Sequence, residues 1–238
     1  MLTATIMQPT YLPWLGYFDM MDRSDIFVLL DCVQFEKCSW QKRNKIKTAQ
    51  GELLLTVPVT SKGKSNQNIC DVQIDYSHNF INQHIKSIKY NYLKSPFYNN
   101  YKDRFSAILK NKYPLLCDLN IDLITWIKDC LGIKTKLIRA SEISASGKKV
   151  GLNINICKQL GVDSYISTVG SRTYIDKNNT FRDNGIKLMY HNYDHPVYSQ
   201  RFGDFLPYLS IIDLLLNEGD KSLAIIRSGR VNGGTISG

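Results

Sequence analysis

The segment Gln8-Pro9-Thr10-Tyr11-Leu12-Pro13-Trp14-Leu15-Gly16-Tyr17-Phe18 places two prolines, four aromatic residues and a glycine directly after the apolar run Thr3 to Met7. Gln8, Tyr11, Trp14, Gly16 and Tyr17 therefore stand where a strand hands over to a helix. In an open α/β sheet, ligands bind beyond the carboxyl ends of strands, and the free N–H groups of a helix start attract anions. These five residues are candidate substrate contacts, with a packing plug as the plainer reading of the aromatics. A second group, Asp31, Gln34, Trp40, Arg43 and Asn44, follows another apolar run, Ile26 to Leu30. Asp31 could face the same cleft as Gln8, and the Arg43 guanidinium offers a planar fork suited to phosphate or carboxylate. Gln8, Tyr11, Trp14, Asp31 and Arg43, joined by Arg172, are expected to form an anion-binding cleft.

Arg172 belongs to a third stretch, Ser167 to Tyr174, in which Gly170, Ser171 and Arg172 could cradle a phosphate through backbone N–H groups. The spaced glycines and Lys-Ser/Thr of a P-loop are missing. His191 and His195 are two of the chain's four histidines. Their spacing would suit a metal on a helix, but Pro196 and the polar neighbours indicate a loop, so no metal is expected. A histidine beside an aspartate suits general-base work near neutral pH. His195, flanked by Asp194 and Pro196, is the preferred base, His191 the second choice and Asp31 the acidic alternative. Tyr198 and Gln200, in the same segment, are further candidate substrate contacts.

The elements that must position these residues alternate between strand and helix. Thr3 to Met7 reads as a short buried strand and Ile26 to Leu30 as a strand covered on both faces, with an aromatic-rich helical segment between them. From 79 to 132, three helical patterns are broken near Pro96 and Pro114. Two later segments each read as a helix closed by glycine (Gly132, Gly161) and then a strand (Lys136 to Arg139, Ser164 to Ser167), the repeating unit of a parallel sheet. Ile186 to Tyr190 is a further strand, and Leu206 to Asn217 an apolar helix. The expected fold is a Rossmann-like α/β domain with a mainly parallel sheet over residues 1–227, carrying 79–132 as a helical insertion or lid and 228–238 as a flexible C-terminal tail.

The 238 residues are 43% hydrophobic and 21% charged, a globular composition that excludes a disordered or collagen-like chain. No apolar run is long enough to span a bilayer, and the N-terminus lacks the pattern of a secretory signal, so a cytoplasmic protein is expected. Six cysteines without a CxxC pair suggest neither disulfides nor a zinc site. Thirty basic against 21 acidic residues leave a formal charge of +9, which favours an anionic partner. The dense basic cluster from Lys42 to Lys47 reads as a solvated face.

Taken together, Gln8-Pro-x-Tyr-Leu-Pro-Trp-x-Gly-Tyr-Phe18, Asp25-x-Phe27-Val, Asp31-x-Val-Gln-Phe35 and Trp40-x-x-Arg43-Asn44 resemble the opening of the WbqC-like family. Leu55-Thr-Val-Pro-Val59, Tyr165-Ile-Ser, Pro196-Val-Tyr-x-Gln200 and Phe205-x-Pro-x-Leu-Ser-Ile-Ile-Asp213 resemble its second half. The resemblance runs over about residues 3–219 and departs around Thr168 from a small glycine-rich turn associated with that family. It implies a place beside enzymes of surface-polysaccharide and modified-sugar assembly, including O-antigen and lipopolysaccharide synthesis. The implied activity is an amide-forming acyl or aminoacyl transferase acting on a dTDP- or UDP-linked amino sugar. Its donor would be the phosphopantetheine thioester of an acidic acyl or peptidyl carrier protein, with no tightly bound cofactor. An alternative is an ATP-dependent amide ligase or nucleotidylyltransferase-like enzyme, but Trp14 and Tyr17 occupy the two histidine places of the His-x-Gly-His such enzymes use. A non-enzymatic nucleic-acid-binding protein, resting on the basic charge with Trp40 and Arg43, has no recognisable module behind it.

Overall fold

Apolar runs of four or five residues with no polar face can be satisfied only when both sides of the strand are covered. The first two runs become β1 (Thr3–Met7) and β2 (Ile26–Leu29). A computed structural model of the chain describes residues 1–60, 63–64, 66–175 and 180–231. After a hairpin of β3 (Arg43–Thr48) and β4 (Gly51–Thr56) come β5 (Lys136–Arg139), β6 (Ser164–Thr168) and β7 (Lys187–His191). Five strands form one sheet in the order β5-β2-β1-β6-β7, and every neighbouring pair is parallel. The fold is the expected Rossmann-like α/β sheet. The chain builds outward from β1 through β2 to β5, then returns to the other side of β1 for β6 and β7. That reversal opens a crevice between the carboxyl ends of β1 and β6, where such sheets bind their ligands.

Alternate residues face opposite layers. Ala4, Ile6, Ile26 and Val28 pack with Leu152, Ile156 and Cys157 of α5 (Val150–Gln159). Phe27 and Leu29 face the larger core, which holds Tyr17 and Phe18 of α1 (Leu15–Asp22) and Leu215 of α8 (Ile211–Glu218). Fully burying a side chain such as Phe27 stabilises the fold by about 1.5–3 kcal/mol. Between β4 and β5 stand α2 (Phe80–Tyr92), α3 (Tyr98–Lys110) and α4 (Leu116–Cys130), separated at the two prolines. After β6 come the short α6 (Arg172–Ile175) and α7 (Thr180–Asp183), and α9 (Ser222–Ser228) follows α8.

Three details differ from the sequence reading. The basic cluster is not a solvated face but the strand β3, with Asn44, Ile46 and Lys47 buried. Lys47 is accommodated because its Nζ donates to Gln200 Oε1 at 3.1 Å and to the Asp204 carbonyl at 2.5 Å. The apolar helix starts at Ile211 rather than Leu206, capped by Ser210 Oγ accepting from the Ile212 N–H. Pro207 cannot donate within a helix, and Tyr208 adopts a left-handed φ of 58°. At the C-terminus, residues 228–231 are tied down, since Arg230 bridges to Tyr193 and pairs with Asp19 and Asp22. Residues 232–238 of the expected tail lie outside the described residues. Among the described residues no helix is long and apolar enough to cross a membrane.

Candidate functional site

The loop after β1 is clamped from several sides. Gln8 Oε1 accepts from Gln41 Nε2 at 2.8 Å, and the Tyr17 hydroxyl donates to the Gln8 carbonyl at 3.3 Å. Asn44 Nδ2 donates to the carbonyl of Leu12, whose φ is 46°, and Asn120 Nδ2 donates to the carbonyls of Pro9 and Gln41. Tyr11 is fully buried with its hydroxyl 2.8 Å from His84 Nδ1. Gln8, Tyr11 and Asn44 are thus the joinery of the loop. That joinery delivers Trp14 to the start of α1, where the indole lies in the space a side chain on Gly16 would need.

A cavity of about 520 Å³ opens there, at the carboxyl ends of β1, β6 and β7. Its size is that of a small-ligand site. Its wall takes Met7 from β1, Trp14, Tyr17 and Met20 around α1, Thr168 and Val169 after β6, and the segment His191 to Asp194 after β7. Tyr208 and Val231 close the rim. His191 Nε2 lies 2.9 Å from Oδ2 of Asp19, a fully buried carboxylate in the middle of α1. Arg230 Nε donates to the other oxygen of Asp19 at 2.6 Å and supplies the compensating cation. A carboxylate only accepts, so in the neutral imidazole Nε2 carries the proton and Nδ1 keeps its lone pair. That Nδ1 has no hydrogen-bond partner among the described residues. The arrangement is a carboxylate-oriented imidazole on the wall of a ligand-sized cavity.

A sequence model of the WbqC-like protein family matches residues 8–225 of this chain. The chain belongs to that family. It is also 33% identical over 229 residues to the uncharacterized protein Rv1507c of Mycobacterium tuberculosis, covering 95% of this chain and 98% of the mycobacterial one. No solved structure matches it.

In this WbqC-like chain the second histidine sits elsewhere. His195 Nδ1 donates to the Pro196 carbonyl at 2.9 Å, and its Nε2 is buried without a partner among the described residues. The ring stacks at 6.2 Å on Trp14 and packs against Tyr198, Phe205 and Tyr208, and burial pulls its pKa below the usual histidine value. It packs behind Trp14 and Tyr208 and is not among the residues lining the cavity. Asp31, the acidic alternative, is also not among the residues lining the cavity. It is fully buried at the end of β2, accepting from Arg139 Nε at 2.8 Å and from the N–H and Oγ of Ser141 at 2.8 and 2.7 Å. Its oxygens are committed to holding β5 and the turn after it.

The remaining expected contacts scatter. The Tyr198 hydroxyl donates to buried Asp213 at 2.9 Å, as Tyr92 does at 2.7 Å. Gln200 Nε2 donates to the Tyr198 hydroxyl and to the Leu206 carbonyl, so Tyr198 and Gln200 brace the loop that carries Tyr208. Burial raises the Asp213 carboxyl, and the two tyrosine hydroxyls offset that only in part. Trp40 is half exposed on the outer face of the hairpin, with the Arg43 guanidinium 6.0 Å and Lys45 Nζ 5.9 Å from its ring. Gln34 is exposed and bridges to Asn68. Ser171 Oγ is spent on Ser167 and the Thr168 carbonyl, Gly170 is exposed, and Arg172 lies over the Tyr190 ring at 4.6 Å. The expected anion cleft of Gln8, Tyr11, Trp14, Asp31, Arg43 and Arg172 is therefore not one surface. Trp14, Tyr17 and His191 are brought to one cavity, with Gly170 beside its rim.

The sequence reading passed over Asp19, Tyr193, Tyr208 and Arg230, and took Asp194 only as the neighbour of His195. Asp19 did leave a signal: it is an acid within Tyr17-Phe18-Asp19-Met20-Met21, a run with no other polar residue. Among the described residues no three His, Cys, Asp or Glu side chains gather to hold a metal ion, and the six cysteines are free.

Proposed function

We propose that this chain is an amide-forming transferase that moves an acyl or aminoacyl group from a carrier-protein thioester to the amine of a nucleotide-linked amino sugar, in surface-polysaccharide assembly. The observation that carries this reading is the Asp19–His191 pair, 2.9 Å apart, on the wall of the crevice cavity. In the proposed step the amine nitrogen attacks the thioester carbonyl while His191 Nδ1 takes one of its protons. The carbon–sulfur bond then breaks, and the departing thiolate takes that proton back from the imidazolium. Asp19 stabilises the imidazolium through Nε2, and Arg230 keeps the buried carboxylate matched with a cation. A base so placed typically contributes on the order of 10²–10⁴ in rate. The donor arm would be the carrier's phosphopantetheine, and the formal charge of +9 favours an acidic carrier.

The ligase or nucleotidylyl alternative is weakened by the Trp14 indole, which lies over Gly16 in the first turn of α1, where a phosphate would otherwise meet free N–H groups. The deciding assay supplies dTDP- and UDP-amino sugars with an aminoacyl or acyl carrier thioester, and separately with free amino acid and ATP. Amide product from the thioester alone supports the transferase. Product only with ATP, or none with any pair, overturns it.

A further inference from the structure

Among the described residues lining the cavity, Asp194 is the one carboxylate; it is exposed to solvent and no hydrogen bond or ion pair joins it to another described side chain. The nearby acids are already matched, Asp19 by His191 and Arg230, and Asp22 by Arg227 and Arg230. The backbone at Asp194 is fixed: its N–H donates to the Gly229 carbonyl at 2.9 Å, and Gly229 lies so close that a β-carbon there would stand 2.4 Å from the Asp194 carbonyl oxygen. The same lining holds the aromatic rings of Trp14, Tyr193 and Tyr208. Trp14 meets Tyr193 at 78° and Tyr208 at 55°, with ring centres 5.8 and 5.6 Å apart, so neither tyrosine stacks flat on the indole. Tyr193 in turn stacks on His191 at 5.2 Å. Three electron-rich rings and one unpaired carboxylate repel a phosphate and attract a cation.

We propose that this cavity is a subsite for a primary ammonium, held by the Asp194 carboxylate and the rings of Trp14, Tyr193 and Tyr208 beside His191. The binding stands on the geometry of the cavity. The fate of the amine rests on the transferase reading, in which the bound ammonium first gives one proton to solvent, and the neutral amine then gives a second to His191 Nδ1 as it attacks the thioester. The phosphates of a nucleotide-linked ligand then lie outside the cavity. The ammonium belongs either to the acceptor sugar or to the α-amino group of an aminoacyl donor.

The test is amide and indole N–H NMR of the full chain, with the Trp14 indole signal assigned by Trp14→Phe. Glucosamine is titrated against glucose, and glycinamide against glycolamide, at a pH where both amines are protonated. An amine should shift the Trp14 signal to saturation while its neutral analogue does not. Asp194→Asn and Tyr208→Ala should each weaken the amine by roughly tenfold, the scale of one such contact. Preference for glucosamine assigns the ammonium to the acceptor and preference for glycinamide to the donor, and either upholds the subsite. Equal response to amine and alcohol, or unchanged amine affinity in Asp194→Asn, overturns it. The two readings fail separately. Amine binding at Trp14 without turnover sinks the transferase alone, and turnover with unchanged KM for the amine in Asp194→Asn sinks the subsite alone.

Discussion

A β-carbon on Gly16 would fall 2.3 Å from two atoms of the Trp14 indole, so the glycine is what lets this ring lie over the first turn of its own helix. The conflict is with the far end of a side chain that can swing away. Gly16→Ala should therefore leave stability nearly unchanged, because the roughly 1 kcal/mol gained in helix propensity offsets part of the lost indole packing. The site should suffer instead: Trp14 fluorescence should shift and ligand affinity fall. Gly229→Ala makes the contrast, since there the β-carbon would meet the Asp194 carbonyl oxygen at 2.4 Å and backbone must move. That variant should lose on the order of 1–3 kcal/mol in urea denaturation. Equal stability losses in the two would refute the distinction.

The two histidines four positions apart should behave differently. His191→Gln should lower kcat by on the order of 10²–10⁴ with little change in KM, the cost of losing a positioned base. Asp19→Asn should follow it, because an amide can turn its NH2 toward the ring and hold the wrong tautomer. His195→Phe keeps the packing against Trp14 and Tyr208 and should stay within a few-fold of the parent. Steady-state kinetics on the three variants decides the matter: a collapse of turnover in His195→Phe with normal His191→Gln would reverse the assignment.

The sheet was legible where burial acts on both faces of a strand. Thr3–Met7 falls at its expected boundaries and Ile26–Leu29 within one residue of them, since a short apolar run has few other uses. β3 was illegible because Arg43-Asn44-Lys45-Ile46-Lys47 looks solvated until Gln200 and Asp204 arrive from more than 150 residues away to hold Lys47. The site was half legible for the same reason. Composition marks Trp14, Tyr17 and the histidine pair, but which imidazole meets a carboxylate depends on β7 ending at His191 beside α1. Local sequence around either histidine holds no trace of Asp19.

The brace around Asp213 predicts a stability effect away from the chemistry. Tyr198→Phe removes one of two hydroxyl donors to a fully buried carboxylate and leaves that oxygen short of a partner. An unsatisfied buried acceptor costs about 1–3 kcal/mol. Urea denaturation should show a loss of that size, and Tyr92→Phe a similar one. The double variant should lose less than the sum if the carboxyl, already raised by burial, takes up a proton once both donors are gone. Strict additivity would argue that the two hydroxyls act independently.

His84 supplies a pH-dependent term that can be isolated. Its ring is buried against Phe80 and Tyr11, and burial pushes its pKa down from 6.5 to about 4. In the unfolded chain the imidazole takes up its proton as the pH falls through about 6.5, while the folded ring resists until about 4. The unfolded state therefore binds more protons throughout that window, and stability must fall as pH falls. The contribution is fully present above pH 6.5, is lost progressively toward pH 4, and is flat below it. A depression from 6.5 to about 4 corresponds to a total on the order of 3 kcal/mol. Urea midpoints of the parent and of His84→Asn, measured at intervals between neutral pH and pH 4, give the difference in slope, which cancels the carboxylates that titrate in both. The parent should lose stability more steeply on acidification. Parallel curves would mean that the folded protein protonates His84 as readily as the unfolded chain does.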